Sequence, residues 1–244
     1  MNLGKYGKLT IVTDLHGNFR DYKKYLDKWD CDDHDSHIIF TGDLIHAHRG
    51  EDGSVLIIED IMKKYEEYEN FHLALGNHEW SHIVNKDIYK NGVNQKESFE
   101  ELVSIYQNNN KTINEYITFF KKWSIGMKTV NGLFISHTGP SLSISSEENL
   151  KKILKNPDYL STGIEDILWN RYYNFQENEI SNFLENINSK LMVVGHTNVN
   201  GYKTYGKQLI LTSSYNDQKK AYLEIDLGEK IETMNDLTQK IKYL

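Results

Sequence analysis

Blocks of apolar residues separate polar stretches along this chain, and their spacing predicts alternating strands and helices. Short apolar runs predict three early strands, at Leu9–Asp14, His37–Gly42 and Phe71–Gly76. Apolar residues three or four positions apart predict two helices between them, at Phe19–Trp29 and at Ser54–Tyr65 with Ser54 as its N-cap. This order predicts an α/β fold whose sheet contains parallel strands.

The segment from Trp80 to about Trp123 breaks this pattern, because strand-like runs vanish there. The runs "FEELVSIYQ" and "INEYITFFKKW" predict two helices separated by the polar "NNNK". We therefore expect a helical cap inserted at residues 80–125 of a single domain that spans residues 1–244. Its aromatic residues are predicted to pack together, although its position after "GNHE" also makes it a candidate lid.

The second half of the chain predicts further strands and helices. Asn131-Gly132 lies between two apolar runs in Gly126–His137, which is a strong hairpin signal. The periodicity predicts helices at Glu147–Lys155 and Glu177–Asn188. Strand-like runs follow at Lys190–Gly195, Lys207–Ser213 and Lys219–Leu227. The closing "TMNDLTQKIKYL" predicts a short helix or a loose tail.

Charge and hydropathy exclude two classes of partner. The 244 residues carry a net charge of −7, which disfavours non-specific binding to the nucleic-acid backbone. No apolar run approaches the roughly 18–20 residues that a membrane-spanning helix needs. The strand-like start leaves no room for a signal peptide, and the single Cys31 fits a reducing compartment. We therefore expect a cytoplasmic protein without membrane contact.

Polar side chains follow five of the predicted strands at their carboxyl ends, where open α/β sheets bind ligands. They are Asp14, His16, Asp43, Asn77, His137 and His196. Each one alone is an ordinary cap or turn former. Together they form a set of nitrogen and oxygen ligands without cysteine, which suits manganese, iron or zinc. The set is too large for one ion with open positions, so it predicts two ions that share a bridging carboxylate.

The stretch "GDLIHAHRG" offers a second metal interpretation, because His46 and His48 follow Asp43 in a His-x-His pattern. The next residue, Arg49, counts against it, since a fixed cation should not crowd a metal ion. The stretch alone therefore leaves open which of these side chains does chemistry.

The ordered motifs "DLHGN", "GD", "GNHE", "SHTG" and "GHTN" resemble those of the calcineurin-like metallophosphoesterase superfamily, over nearly the whole chain. "GHTN" is most similar to the branch that holds Ser/Thr phosphoprotein phosphatases and symmetrical diadenosine-tetraphosphate hydrolases. Nucleases and cyclic-nucleotide phosphodiesterases of the superfamily usually carry a second histidine where Asn198 stands. The resemblance implies a metallophosphoesterase-type β-sandwich of mixed sheets, flanked by helices and carrying the helical cap.

The resemblance also implies a role for each matched residue. The implied ligands are Asp14, His16 and Asp43 for one ion, and Asp43, Asn77, His137 and His196 for the other. Asn77 would also contact the substrate phosphate. His78 would protonate the leaving oxygen while a hydroxide held between the ions attacks phosphorus in line. The cofactor would be two divalent ions, with manganese as first choice and iron, zinc or nickel as alternatives.

The resemblance assigns the metal role in "GDLIHAHRG" to Asp43 alone, so we expect His46 and His48 to form the wall of the site near the substrate.

Four residues near these motifs receive further expectations. Glu79 would be structural and bond the neighbouring loop. Arg49 and Arg171 are candidate phosphate-binding residues, because a planar guanidinium fits phosphate, although a surface ion pair is the alternative for each. His82 is expected on the surface of a cap helix, with a place in the lining of the cleft as the alternative.

One departure from the family pattern leaves a question open. Protein phosphatases of the family usually read GDxxDRG, and that second Asp orients the catalytic histidine. Here the segment is two residues longer, and His46 stands where the Asp would be. Either His46 takes over this orienting role or no residue does.

Three functions remain after these steps. The first is a metal-dependent phosphomonoesterase that acts on a phosphoprotein or a small phosphate ester. The second is a dinucleoside polyphosphate hydrolase, which would cut diadenosine tetraphosphate. The third is a non-catalytic metal-binding scaffold, which ranks last because all six ligands and His78 are present. Asn198 and the acidic balance disfavour a nuclease or phosphodiesterase.

Overall fold

The computed structural model describes residues 3, 6–48, 50–106, 112–215 and 218–244. Its strands lie in two five-stranded mixed sheets and one small hairpin. In chain order the strands are β1 (Lys8–Val12), β2 (Ser36–Phe40), β3 (Phe71–Leu73), β4 (Tyr89–Lys90), β5 (Val93–Asn94), β6 (Gly126–Lys128), β7 (Leu133–Ser136), β8 (Leu191–Val194), β9 (Tyr202–Tyr205), β10 (Gln208–Leu211), β11 (Ala221–Asp226) and β12 (Ile241–Tyr243). The first sheet has the order β12-β11-β1-β2-β3, and the second has the order β6-β7-β8-β10-β9.

Parallel pairs form the centre of each sheet. In the first sheet β1 pairs in parallel with β2, and β2 with β3. In the second sheet β8 pairs in parallel with both β7 and β10. Parallel strands bring their carboxyl ends to one edge, so each sheet presents several strand ends side by side. The predicted α/β fold with parallel members is confirmed.

The helices lie around these sheets. In chain order they are α1 (Phe19–Leu26), α2 (Ser54–Glu67), α3 (Asn77–Ile83), α4 (Gln95–Ile105), α5 (Ile113–Phe120), α6 (Glu147–Lys155), α7 (Thr162–Trp169), α8 (Glu177–Asn186) and α9 (Met234–Thr238). A turn of 3-10 helix spans Tyr172–Asn174. No helix among the described residues is long and apolar enough to cross a membrane.

Alternating side chains of the strands divide the interior into two cores, as the two-residue period of a strand requires. One core is aliphatic and includes Leu9, Ile39, Ile135, Val193 and Leu223, so it lies between the two sheets. The other contains the opposite faces of the strands together with the helices. A sandwich of two mixed sheets flanked by helices was predicted, and the structure confirms it.

The segment between β3 and β6 is helical, as predicted, but it also contains the hairpin of β4 and β5. The expectation that strands vanish there is therefore wrong. Asn91 and Gly92 form its turn, both with positive φ, which is the backbone conformation that a two-residue hairpin turn favours. Its aromatic residues do pack together: Phe99, Tyr116 and Phe120 are buried in the helical core.

Several predicted boundaries differ from the structure. Helix α2 has Gly53 at its N-cap, so the prediction for Ser54 is wrong: the Ser54 hydroxyl instead accepts a hydrogen bond from the His46 backbone N–H at 3.0 Å. Helix α1 ends at Leu26, because the Trp29 indole turns inward and donates to the Ser36 carbonyl. The closing segment forms α9 and then the edge strand β12, so it is not a loose tail.

Candidate active site

The six predicted ligand residues follow the carboxyl ends of five strands in both sheets. Asp14 and His16 follow β1, Asp43 follows β2 and Asn77 follows β3, whereas His137 follows β7 and His196 follows β8. Four of them have positive φ, namely Asp14, His16, Asp43 and His196. Such backbone is uncommon outside glycine and clusters at functional sites. The sharp turns at these strand ends are what aim the side chains into one space.

Asp43 lies at the centre of this arrangement and is almost fully buried. Its Oδ2 atom is 3.4 Å from His137 Nε2 and 3.8 Å from His16 Nε2. Burial alone would raise the pKa of Asp43, but the neighbouring His137 and His78 hold it well below its usual value. Two groups of potential metal ligands share this carboxylate: one is Asp14, His16 and Asp43, and the other is Asp43, His137 and His196.

His137 is the most informative residue of the second group. Its Nδ1 lies 2.9 Å from the Thr41 carbonyl oxygen, to which it can only donate, so the neutral ring has no hydrogen on Nε2. That bare nitrogen is 3.0 Å from Asn77 Oδ1 and 3.1 Å from His196 Nδ1. Atoms that can all act as electron-pair donors thus converge on one point. A divalent cation satisfies such a set, and the carbonyl contact fixes the ring for it.

The electrostatics of the site also favour positive charge. Burial would lower the pKa of His137, yet the negative charge of the Asp43 carboxylate raises it to about 9. Burial likewise raises the pKa of Asp14 to about 6, with a further contribution from Asp43. His16 Nδ1 and His196 Nε2 are buried without a hydrogen-bond partner. The residues present therefore fit a pair of divalent ions.

The backbone packs tightly around the two carboxylates. Both oxygens of Asp14 are 3.0 Å from the His196 backbone nitrogen, which joins a residue of the first sheet to one of the second. A Cβ atom at Gly195 would collide with the Asp14 carboxylate, and one at Gly76 would collide with Asp43. Glycine is required at both positions because the backbone of one strand end approaches the side chain of another.

His78 is the second residue of helix α3 and lies beside this group. Its backbone N–H donates to Asp43 Oδ1 at 3.0 Å, and its Nε2 is 3.8 Å from Asp43 Oδ2. The ring nitrogen therefore faces the centre of the site without replacing any of the predicted ligands. Glu79 follows it, and its carboxylate accepts the backbone N–H groups of Asp43 at 2.9 Å and Leu44 at 2.7 Å. The expectation that Glu79 bonds the neighbouring loop agrees with these contacts.

The histidines of the "GDLIHAHRG" stretch have separate environments. His48 stacks on His16 with ring centres 3.5 Å apart, and burial followed by the charge of Lys90 lowers its pKa to about 3. His46 is buried, with its Nδ1 2.7 Å from His78 Nδ1 and its Nε2 3.0 Å from His82 Nε2. His82 is only 2 % exposed, so its predicted place on a helix surface is wrong.

Cations and an aromatic ring stand at the mouth of the site. Arg171 Nη1 donates to the His196 carbonyl oxygen at 3.0 Å, which holds the guanidinium beside the predicted ligands. Lys90 of strand β4 lies 5.8 Å from the Tyr215 ring, and both line a cavity of about 180 Å³ with Arg171, Asp14 and His196. An adjoining cavity of about 610 Å³ reaches past His16 and His48 to Arg20. Arg49, the other predicted phosphate-binding residue, lies outside the described residues.

Sequence reasoning missed Lys90 and the burial of His82, although signals for both are present. Asn91-Gly92 marks a hairpin turn beside Lys90, of the same type that was recognised at Asn131-Gly132. His78 and His82 are four residues apart, which places them on one face of a helix. The contact of His46 with both had no signal, because it depends on how a loop crosses that helix.

The family model of calcineurin-like phosphoesterases matches residues 7–200. No protein among curated sequences matches the chain. Among solved structures, a serine/threonine phosphatase from Saccharomyces cerevisiae with similarity to human phosphatase PP5 gives a TM-score of 0.73 at 18% identity, covering 98% of this chain and 79% of that one. A cold-active protein-tyrosine phosphatase of a psychrophilic Shewanella species gives 0.65 at 20% identity, covering 100% and 82%. A candidate diadenosine tetraphosphatase gives 0.53 at 12% identity, covering 100% and 96%.

Proposed function

Because the chain belongs to the calcineurin-like phosphoesterase family and is therefore a phosphoric ester hydrolase, we propose that it is a phosphomonoesterase dependent on two divalent metal ions. Its substrate is a phosphoprotein or a small phosphate ester. The observation that carries the proposal is the pair of ligand groups that share Asp43. Two cations a few ångströms apart need such a shared carboxylate.

The proposed ligands are those named from the sequence. Asp14, His16 and Asp43 hold one ion, and Asp43, Asn77, His137 and His196 hold the other. The Nε2 of His137, which carries no hydrogen in the neutral ring, and the unpartnered nitrogens of His16 and His196 support this assignment. When bound, the two cations supply a water molecule of lowered pKa and offset the charge of the phosphate. The nitrogen and oxygen donors suit manganese first, with iron, zinc or nickel as alternatives.

His78 is the proposed general acid. Its Nε2 faces the carboxylate that both ligand groups share, and its backbone is anchored to that same carboxylate. A phosphate ester loses its alkoxide slowly unless a proton reaches the leaving oxygen in the transition state. A buried imidazole at the edge of the centre can deliver that proton.

Positive side chains at the mouth are proposed to bind the phosphate oxygens. Arg171 is held beside His196, and Lys90 reaches the same cavity from the β4–β5 hairpin. Guanidinium and ammonium groups stabilise charge that grows on the equatorial oxygens during transfer. Asn77 is a proposed third contact through its amide. Arg49 is also proposed to bind the phosphate, and only the sequence supports this role.

Residues 80–125 are proposed to act as a cap on the single domain. The segment supplies Lys90 to the site, so its hairpin can select among phosphorylated substrates by charge and reach. The cavity past His16 and His48 leaves room beside the phosphate for part of a larger substrate. This room is also what a dinucleotide would need, and diadenosine tetraphosphate is therefore the competing substrate.

One assay tests the proposal. The purified chain, loaded with Mn²⁺, is incubated in parallel with p-nitrophenyl phosphate, a phosphopeptide and diadenosine tetraphosphate. We expect hydrolysis of the first two, with two metal ions bound per chain by calorimetry. Hydrolysis of the dinucleotide alone would replace the proposal with its competitor. Tight metal binding without hydrolysis of any of the three substrates would contradict both hydrolase functions and favour a non-catalytic metal-binding scaffold.

A substitution tests the shared carboxylate. In Asp43→Asn the bridging charge disappears while the shape is kept. We expect activity to fall by more than the roughly 10–100-fold that is typical of residues that only support metal ligands, and we expect fewer bound ions. Asp32→Asn, on an exposed loop, is the matched control and should match the wild type. Survival of activity within a few-fold in Asp43→Asn would contradict the bridging role.

A further inference from the structure

Three buried histidines form a line from the active site to the cap segment. His78 Nδ1 lies 2.7 Å from His46 Nδ1, and the other nitrogen of His46, Nε2, lies 3.0 Å from His82 Nε2. The remaining nitrogen of His82, Nδ1, faces Glu100 Oε1 at 3.8 Å. His46 thus uses both of its nitrogens along one path, and the Glu100 carboxylate on helix α4 lies near the far end of that path without a hydrogen bond to it.

The charge of Glu100 favours one direction of the hydrogen bonds. Its carboxylate lies 3.8 Å from His82 Nδ1, too far for a hydrogen bond, but its negative charge favours a hydrogen on the nitrogen that faces it. In that tautomer the Nε2 of neutral His82 accepts. His46 then donates from Nε2 and accepts at Nδ1. His78 must therefore keep a hydrogen on Nδ1, and the proton that it can give or take is the one on Nε2. That nitrogen is the one that faces Asp43 and the centre of the site.

The surroundings hold this path in place. All three histidines are buried, and the Phe99 ring of helix α4 lies 5.8 Å from the His46 ring and 5.1 Å from the His82 ring, measured between ring centres. The His46 backbone has φ of 66° and is anchored through its N–H to Ser54. Water therefore cannot easily replace either link, and a buried hydrogen bond to a fixed partner restricts ring rotation.

We infer that His46 and His82 are positioning residues, which orient His78 and fix its acidic proton on Nε2 through this path to Glu100. The inference rests on the proposed general-acid role of His78. It also gives the cap segment a second connection to the site, since Phe99 and Glu100 both belong to helix α4. A shift of that helix would act on the orientation of the acid without touching the substrate.

Paired amide substitutions test each link separately. The side-chain oxygen of asparagine can take the place of histidine Nδ1, and that of glutamine can take the place of Nε2. His46 accepts the hydrogen bond from His78 at Nδ1, so His46→Asn should keep this hydrogen bond and His46→Gln should lose it. His82 accepts the hydrogen bond from His46 at Nε2, so His82→Gln should keep this hydrogen bond and His82→Asn should lose it. The preference for the two amides is thus reversed between the two positions.

Backbone preferences at both positions must be separated from the effect on the links. Asparagine tolerates left-handed backbone better than glutamine does, which favours His46→Asn for a reason unrelated to the link. His82 lies within helix α3, where glutamine is the better helix former, which favours His82→Gln in the same way. Thermal denaturation and bound-metal stoichiometry of each variant identify any that fail to fold or to bind metal. Glu97→Gln, on the exposed face of α4, is the matched control for charge in the cap.

Leaving-group dependence separates positioning from a general loss of structure. With phenyl phosphate, whose leaving group needs a proton, we expect kcat to fall about 100-fold in His46→Gln and less than about tenfold in His46→Asn. With p-nitrophenyl phosphate, whose leaving group needs little help, both losses should be small. KM should change little in each case, because the path does not touch the substrate.

A measurement without substrate keeps the inference independent of the proposed function. Imidazole ¹⁵N spectra of the metal-free protein distinguish a nitrogen that carries hydrogen from one that does not. We expect hydrogen on Nδ1 of His78, on Nε2 of His46 and on Nδ1 of His82. The opposite tautomers, or equal losses for Asn and Gln at both positions, would overturn the inference. The expected tautomers in a chain that hydrolyses no phosphate ester would overturn the proposed function alone.

Discussion

The Glu79 carboxylate accepts hydrogen bonds from the backbone of the loop that carries Asp43: Oε2 accepts the Asp43 N–H at 2.9 Å, and Oε1 accepts the Leu44 N–H at 2.7 Å. Burial, followed by the charge of Asp43, raises the pKa of Glu79 to about 7. The Glu79 carboxylate thus holds the backbone turn that positions the Asp43 carboxylate, although Glu79 is not itself a proposed metal ligand.

Glu79→Gln should destabilise the fold and weaken metal binding. The amide has one acceptor oxygen, so its NH₂ group would face a backbone N–H and leave a buried donor without a partner. Such a donor costs about 1–3 kcal/mol. Differential scanning calorimetry should record the lower melting temperature, and calorimetric titration the lower metal affinity. Glu97→Gln should change neither quantity, and an equal effect in both variants would contradict this role.

Arg171→Lys should raise KM for phosphorylated substrates although the charge is kept. A lysine lacks the planar fork that can bond the His196 carbonyl and a phosphate together. Hydrogen bonds to charged groups contribute about 1.5–3 kcal/mol, so kcat/KM should fall about 10- to 100-fold. Steady-state kinetics with p-nitrophenyl phosphate measures this change. Lys151→Arg, on the exposed face of α6, supplies the control, and an unchanged KM in Arg171→Lys would refute the contact.

Lys90→Gln should reduce the salt dependence of catalysis. The ammonium group stands at the mouth of the site, where it attracts anions through solvent, and such attraction is screened over about 10 Å at 0.1 M salt. We expect kcat/KM of the variant to fall at low salt and to approach the wild-type value at high salt. Lys86→Gln, elsewhere in the cap segment, should keep the wild-type salt profile. Parallel profiles for wild type and Lys90→Gln would exclude this role.

His72→Val should flatten the loss of stability in acid. Burial, followed by the neighbouring His37, lowers the pKa of His72 to about 4, against 6.5 in the unfolded chain. As pH falls from 6.5 to 4 the unfolded state takes up the proton first, so the folded state loses stability, by up to about 3 kcal/mol. Urea denaturation of metal-free protein across this range measures the difference. His34→Gln, an exposed histidine nearby, should retain the wild-type slope.

The sequence predicts those parts of the fold that depend on local patterns. The apolar runs before Asp14, Asp43 and His137 lie in the strands where they were expected, because a buried strand must be continuously apolar. Helix ends and caps are less predictable. Whether Gly53 or Ser54 caps α2 depends on where the Ser54 hydroxyl finds its partner, and that partner belongs to another loop.

The residues of the candidate site were also predictable from the sequence, whereas the hydrogen bonds that join them to the rest of the protein were not. Motif order brought Asp14 and His196 into one set although 182 residues separate them along the chain. The line through His46 and His82 required the structure, because it depends on a loop and a helix that meet only after folding. Lys90 was overlooked because a strand of two residues has too few positions to show a period.

The division of the proposed ligand set between two sheets has a mechanical consequence. The proposed ligands Asp14, His16, Asp43 and Asn77 follow strands of the first sheet, and His137 and His196 follow strands of the second. Bound ions would therefore connect the two sheets at one edge of the sandwich. Ions at 100 times their dissociation constant add about 2.7 kcal/mol per site to global stability. With metal bound, the backbone amide hydrogens of β1, β2, β7 and β8 should all exchange with solvent more slowly than in the metal-free protein. A chelator should remove this protection from all four strands together.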